Sequence, residues 1–257
     1  MAEVRLRAIA FDLFHTLVDP EDFRPSGFRR APEVARLLGL PESEFVAAWE
    51  AQSAERQVTR SPTVLERVQA YCRSRGVSPP PEAWSRVDEL LGRYCDRAIQ
   101  QPRPAIVASL RELKRRGWTL GLVSNCDERE HRAWPSSALA PLFDATVFSC
   151  DVGHAKPSAE AFRALLPRWG DIPLAEAIFV GDGNGGELAG ARRAGFARVV
   201  FQAGFVSVNG LRPATENEKI RREADDSVVG VEELPPKVGA PAGLREPEGP
   251  PRGSNAS

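Results

Sequence analysis

The chain has 257 residues, 42% hydrophobic and 27% charged, a composition that suits a folded core with a smaller inserted unit. Its 34 basic and 35 acidic residues leave a net charge of -1, so bulk charge gives no argument for a nucleic-acid or membrane partner. No apolar run is long enough to span a bilayer, and the cytoplasm is the expected location.

The first element is Ala8-Ile9-Ala10-Phe11, apolar without alternation, which predicts a strand buried on both faces. Asp12 falls at its carboxyl end, where open α/β sheets place their ligands. From Ser26 to Gln101 no strand is predicted. Helical stretches run over 32–38, closed by Gly39, and over 43–58, with Phe45, Val46 and Trp49 on one face. Two more follow over 63–75, stopped by Gly76, and over 81–99, with Trp84, Val87, Leu90, Leu91 and Tyr94 in a stripe. These stripes predict a small all-helical bundle, with Trp49 and Trp84 in its interior.

Alternation resumes at Pro104. A helix ends at Gly117, and a strand over 118–123 ends at Ser124-Asn125. Residues 133–142 make a poor helix, broken by Pro135 and Pro141. A strand over 145–149 precedes Lys156-Pro157 and a helix over 158–166. A strand over 177–180 ends in Gly181-Asp182, a helix spans 187–194, and strands follow over 197–201 and 227–231. The expected fold is α/β: a Rossmann-like parallel sheet core (1–19 and 102–234) with an inserted all-helical cap domain (20–101). From Pro235 to Ser257 the chain is rich in Pro, Gly, Arg and Glu, and a tail without order is expected there. Cys72, Cys95, Cys126 and Cys150 contain no C-x-x-C pair, so their spacing signals neither a zinc site nor a disulfide framework, and buried reduced thiols are expected.

Asp12, Ser124-Asn125, Lys156 and Gly181-Asp182 all stand near carboxyl ends of predicted strands, which converge on one edge of a parallel sheet. The set combines a nucleophile, a hydroxyl, a cation and a second acid. A carboxylate can attack phosphorus and split one difficult step into two. Cations and N–H or O–H donors then balance the charge on the transferring group.

In this order the motifs resemble those of the haloacid dehalogenase superfamily of hydrolases. Asp12-Leu13-Phe14-His15-Thr16-Leu17-Val18 is similar to its first motif, Val123-Ser124-Asn125 to the second, Lys156-Pro157 to the third, and Val180-Gly181-Asp182 with Glu187 to the fourth. The resemblance implies that Asp12 is the nucleophile and that Asp12, the Phe14 carbonyl and Asp182 hold Mg²⁺. Thr16, Ser124, Asn125 and Lys156 would bind the phosphoryl group of a small phosphorylated substrate, with Ser124 and Lys156 catalytic. Glu187 stands where a second acid often assists the metal. An ordinary first-turn acid reads equally well there.

The chain departs from the family's phosphatases at Phe14, where they carry a second Asp as general acid and base. General acid–base help is worth about 10²–10⁴ in rate. Three answers stay open: a substrate with a good leaving group, another proton donor, or a different reaction. His15 is the first candidate donor, although a packing or turn-capping role is the simpler reading. His154 has a weaker claim, and His131 shows no supporting context. The family's 2-haloacid dehalogenases carry an aromatic residue at the Phe14 position, attack carbon without metal, and use an Arg that Arg29 or Arg30 could supply. They lack the Gly181-Asp182 pattern. A cap Lys acting as a Schiff base is excluded, since residues 20–101 contain no Lys. Arg56 or Arg60 could meet an anionic substrate. A binding or regulatory protein that has kept the pocket without turnover is the third class.

Overall fold

The computed structural model describes residues 5–242. Six strands form one all-parallel sheet in the order β3-β2-β1-β4-β5-β6. They are β1 (Ala8–Phe11), β2 (Thr119–Ser124), β3 (Ala145–Phe148), β4 (Ala177–Gly181), β5 (Arg198–Gln202) and β6 (Asp226–Val228). β1 lies in the middle, and the order reverses beside it, so the crevice at its carboxyl end is the topological switch point.

The lack of alternation in β1 has a direct structural cause. Ile9 and Phe11 face one core with Leu120, Leu122, Ile178 and Val180. There they meet Ile106, Leu110 and Leu113 of a helix after the cap (Pro104–Arg115). Ala8 and Ala10 face a second core with Phe162, Phe179, Leu188 and Ala191. Both faces of the sheet are therefore covered, and each β1 residue is fully buried.

Between β1 and the rest of the sheet lie α1 (Arg30–Leu38), α2 (Glu42–Ala51), α3 (Ser53–Arg56), α4 (Val64–Ser74) and α5 (Pro81–Gln100). They share a separate core of Val34, Phe45, Val64, Val68, Val87 and Leu91, with Trp49 and Trp84 packed against it. Gly39 ends α1 in the left-handed conformation at φ 64°. Thr63 and Glu66 form a reciprocal capping box at the start of α4. The single helix expected over 43–58 is instead two, because the backbone leaves helical geometry at Gln52 (φ -99°, ψ 4°).

The helix Pro104–Arg115 is α6, and after it the chain alternates. α7 (Ser149–Val152) follows β3 directly, taking Ser149 from the expected strand. α8 (Ala159–Arg163) and α9 (Leu166–Trp169) replace one expected helix, and residues 133–142 form two 3₁₀ turns around Pro135 and Pro141. α10 (Glu187–Ala194) is as expected. α11 (Gly204–Val208) and α12 (Ala214–Glu223) were not legible in the pattern. α12 buries none of its residues, and its one large apolar side chain, Ile220, leans on the second core.

The expectation of a disordered tail from Pro235 is corrected for residues 235–242. α13 (Leu234–Val238) buries Leu234 and Pro235 against the first core. The Trp118 indole N–H donates to the Gly239 carbonyl at 3.0 Å, and the Ala242 N–H donates to Leu6 O at 2.9 Å. Two prolines in α13 hid an anchor, because Pro is tolerated in a helix's first turn. Residues 243–257 lie outside the described residues. Among the described residues no helix is long and apolar enough to cross a membrane.

Gly190 carries the contact that aligns α10 with the Lys156-Pro157 segment. A Cβ there would stand 2.7 Å from the Pro157 carbonyl oxygen and 2.8 Å from its Cα, both backbone atoms that cannot swing aside. Helix propensity alone favours Ala over Gly by about 0.8–1.0 kcal/mol. Overpacking typically costs about 1–3 kcal/mol. Gly190→Ala is therefore expected to lower stability by about 1 kcal/mol in urea titrations, and a stabilised variant would show that the approach is looser.

Candidate active site

Strand register alone brings the motif residues to one edge. Phe11 is paired with Leu122 on one side and Val180 on the other, and the Asp12 N–H continues the ladder to Val180 O at 2.9 Å. Asp12 is thus level with Val123 and Gly181, and Ser124 and Asp182 stand one residue beyond.

Lys156 arrives from the loop after α7. Asn125 places it: the Asn125 side-chain amide donates to Lys156 O at 2.8 Å, and the Lys156 N–H donates to Asn125 Oδ1 at 2.8 Å. The buried Lys156 ammonium donates to Asp12 Oδ1 and, at 2.6 Å, to Glu187 Oε2. Burial pulls the Lys156 pKa down, but Asp12 and Glu187 outweigh it and hold the ammonium charged. Glu187 also accepts the Gly183 N–H at 2.9 Å, so both its oxygens are engaged. Burial pushes the Glu187 carboxyl well up, with Lys156 opposing and Asp12 adding to the rise.

Asp182 accepts the Asn184 N–H at 3.0 Å. It also accepts from Arg212, whose guanidinium reaches its carboxylate at 2.7 Å and its carbonyl at 2.6 Å. Burial, then the nearby Asp12 charge, raises the Asp182 carboxyl. Arg212 carries no motif and lies after α11. Only tertiary packing brings it here.

Asp12, Phe14, His15, Asn125, Lys156, Asp182, Asn184 and Glu187 line a cleft of about 190 Å³. Pro20, Arg24, Gln57, Cys95 and Glu130 line its other parts. Thr16 and Ser124 are buried, and their hydroxyls have no protein partner, but neither lines the cleft. Phe14 is half-buried and packs on the first core.

His15 adopts φ 60°, the only positive φ outside glycine among the described residues. A left-handed backbone favours glycine, so the imidazole holds this position at a conformational cost. Its Nδ1 donates to Asp19 Oδ1 at 3.1 Å, and Asp19 is held in turn by Asn209 and by the Glu21 N–H. Burial lowers the His15 pKa, but the bond and charge of Asp19, helped by Asp182 and Asp12, leave it raised. The turn-capping role and the cleft position are therefore both present. His154 is exposed and stands outside the cleft.

The four cap arginines singled out in the sequence do not line the cleft; Arg24 does. Arg29 is exposed, and Arg30 pairs with Asp127 at 2.9 Å and Glu130 at 2.7 Å. Arg56 lies 4.1 Å from the Trp49 ring centroid, and Arg60 meets Asp151 at 3.3 Å near the surface.

Buried Asp12, Asp182 and Glu187 offer carboxylate oxygens within 4.8 Å of one another. Lys156 and Arg212 bring two positive charges against these three acids. An all-oxygen set with residual negative charge suits a hard divalent cation such as Mg²⁺. Glu187, with both oxygens taken, fits the role of positioning Lys156 better than that of a direct ligand.

A haloacid dehalogenase-like hydrolase family profile matches residues 6–195. The chain is 29% identical over 207 residues to bifunctional epoxide hydrolase 2 of Mus musculus, covering 76% of this chain but 36% of that protein. It is 25% identical over 205 residues to the glyceraldehyde 3-phosphate phosphatase of Methanothermobacter thermautotrophicus, covering 77% of this chain and 86% of that one. Among solved structures it resembles a HAD phosphatase from Thermococcus onnurineus (TM-score 0.60, 21% identity, 92% and 99% coverage). It also resembles an L-2-haloacid dehalogenase from Xanthobacter autotrophicus (TM-score 0.54, 19% identity, 91% and 98% coverage). With the profile spanning all four motifs and the sheet placing them on one edge, the chain belongs to the haloacid dehalogenase-like hydrolases.

Proposed function

We propose that this hydrolase is an Mg²⁺-dependent phosphatase acting on a small phosphorylated metabolite through an aspartyl-phosphate at Asp12. The observation that carries the reading is the convergence of buried Asp12, Asp182 and Glu187 around Lys156 in one cleft. A metal-independent attack on carbon gives Asp182 no catalytic task, although it stands with Asp12 and Glu187 against only two cations, Lys156 and Arg212. The phosphatase name of an archaeal relative that aligns over most of both chains points the same way.

Asp12, the Phe14 carbonyl and Asp182 would hold Mg²⁺, which when bound supplies positive charge against the phosphoryl oxygens. Lys156 holds Asp12 Oδ1, which leaves the other oxygen to attack phosphorus. The P–O bond to the leaving group breaks as the Asp12–phosphorus bond forms. Lys156, its backbone held by Asn125, balances the charge on the transferring oxygens, and the Ser124 and Thr16 hydroxyls, buried without protein partners, join it by turning into the cleft. Water then cleaves the acyl-phosphate and regenerates the Asp12 carboxylate.

Phe14 cannot move a proton. His15 lines the cleft beside it, and its Nδ1–H is fixed on the Asp19 carboxylate, so Nε2 is the atom that exchanges a proton with leaving group or water. Arg24, paired with Glu21 at 2.5 Å, is the cap arginine on the cleft wall, where a second anionic group of the substrate would meet it.

A dehalogenase-like reading has one observation in its favour: the aromatic Phe14 in the cleft, where the phosphatases' acid would stand. Metal dependence separates the two, and absence of any turnover would leave a binding protein.

Phosphate release from a panel of alkyl, aryl and acyl phosphates is expected to require Mg²⁺, to stop with chelator and to vanish in Asp12→Asn. Halide release from 2-haloacids that is indifferent to chelator would replace the phosphatase reading. His15→Gln is expected to lower kcat/KM about 10²-fold on alkyl phosphates and under about ten-fold on aryl phosphates, whose leaving groups need no proton. An equal loss on both would remove His15 from proton transfer.

A further inference from the structure

Cys126, His131 and Cys150 are buried and lie outside the cleft. Cys126 follows β2, His131 lies five residues on, and Cys150 is the second residue of α7. Parallel pairing of β2 with β3 brings them together. Their two sulfurs and an imidazole nitrogen all lie within 4.8 Å of one another. Cys150 Sγ is 3.4 Å from His131 Nε2. Bonds of about 2.3 Å to sulfur and about 2.0 Å to nitrogen at a tetrahedral zinc imply a sulfur–nitrogen separation of about 3.5 Å. Asp151 Oδ1 is a neighbour at 3.5 Å from Cys150 Sγ and 3.7 Å from His131 Nε2, and it is shared with Arg60 at 3.3 Å.

We propose that Cys126, His131 and Cys150 are the three protein ligands of a thiophilic divalent cation, zinc by donor chemistry, at a site separate from the carboxylate cleft. Two soft sulfurs and an imidazole are a zinc set, whereas the cleft offers only oxygen. The ligands are held in place beforehand. The Cys126 N–H donates to Ser149 Oγ at 3.0 Å, and the Ser149 hydroxyl donates back to Cys126 O at 3.3 Å. The His131 ring stacks on Phe148 with centroids 3.9 Å apart. Binding forms two sulfur–metal bonds and one nitrogen–metal bond, and thiol protons leave to solvent.

The position gives the site a task. The segment it would pin, residues 126–132, fastens the cap to the core. Glu128 accepts the Val64 N–H at 2.7 Å, and Asp127 and Glu130 hold Arg30. Arg129 reaches Asp96 at 2.8 Å, and Arg132 reaches Asp88 at 2.9 Å. A metal tying Cys126 and His131 to α7 would anchor that segment to the sheet.

The test uses the full chain, reduced and stripped of metal, titrated with Co²⁺. The expected result is a thiolate-to-cobalt charge-transfer band with tetrahedral visible bands that saturates at one cobalt per chain and is erased by zinc. A carboxylate site gives no charge-transfer band, so Asp12→Asn should leave the spectrum unchanged, as should the Cys72→Ser, Cys95→Ser double variant. Cys150→Ser should abolish the band. His131→Asn should weaken cobalt binding by more than the roughly 10–100-fold typical of an outer-shell partner. Zinc should raise the unfolding temperature of wild type but not of Cys150→Ser. No charge-transfer band in the reduced wild type would overturn the site, as would a band that survives loss of Cys150. Failure of phosphatase turnover would leave this result untouched.

Discussion

The Lys156 ammonium, buried between Asp12 and Glu187, is the interaction on which the functional edge depends. Taking one cation and two carboxylates out of water costs several kcal/mol per ion, and mutual attraction offsets that only in good geometry. The surroundings supply it. Asn125 holds the Lys156 backbone from the β2 side, and Gly190 lets α10 approach Pro157 from the other. Such a cluster is poor evidence for stability but good evidence for a purpose, since a hydrophobic trio of equal volume would pack at no electrostatic cost. Its geometry keeps one Asp12 oxygen occupied by the ammonium.

The same edge is completed by parts distant in sequence. Arg212, beyond β5, offsets the Asp182 charge, and Asn209 holds Asp19, which holds His15. The segment after the last long strand thus trims the electrostatics of the site. His15 pays for its place with a left-handed backbone, and Asp19 is what keeps its ring oriented.

The cap is joined to the core by a row of ionic contacts from residues 127–132 as well as by apolar packing at the end of α5. Arg129 is almost fully buried against α5, and a Cβ at Gly92 would lie 1.8 Å from its guanidinium. A side chain at position 92 would push the guanidinium away from Asp96. Ala98 and Ile99 at the end of α5 enter the sheet core, and these ionic contacts add to them in registering the cap over the cleft.

What the sequence determined by itself was whatever depends on local pattern. The apolar run of β1, the glycines after α1 and α10, and acids or hydroxyls at strand ends made the parallel fold legible, with Asp12, Lys156, Asp182 and Glu187 on one edge. It also showed Phe14 where an acid would be expected, because identity at a motif position needs no third dimension. Contacts decided by long-range packing were hidden. Helix α12 shows almost no apolar face, so its neighbour Arg212 gave no sign of reaching Asp182. Arg30 resembled an anion ligand until Asp127 and Glu130 were seen to neutralise it. Cys126, His131 and Cys150 fit no spacing rule, because a crossover between parallel strands, not a local turn, closes the distance between them. Local physics fixes periodicity and turn chemistry, whereas the pairing of charges and soft ligands follows only from how sheet and cap are folded together.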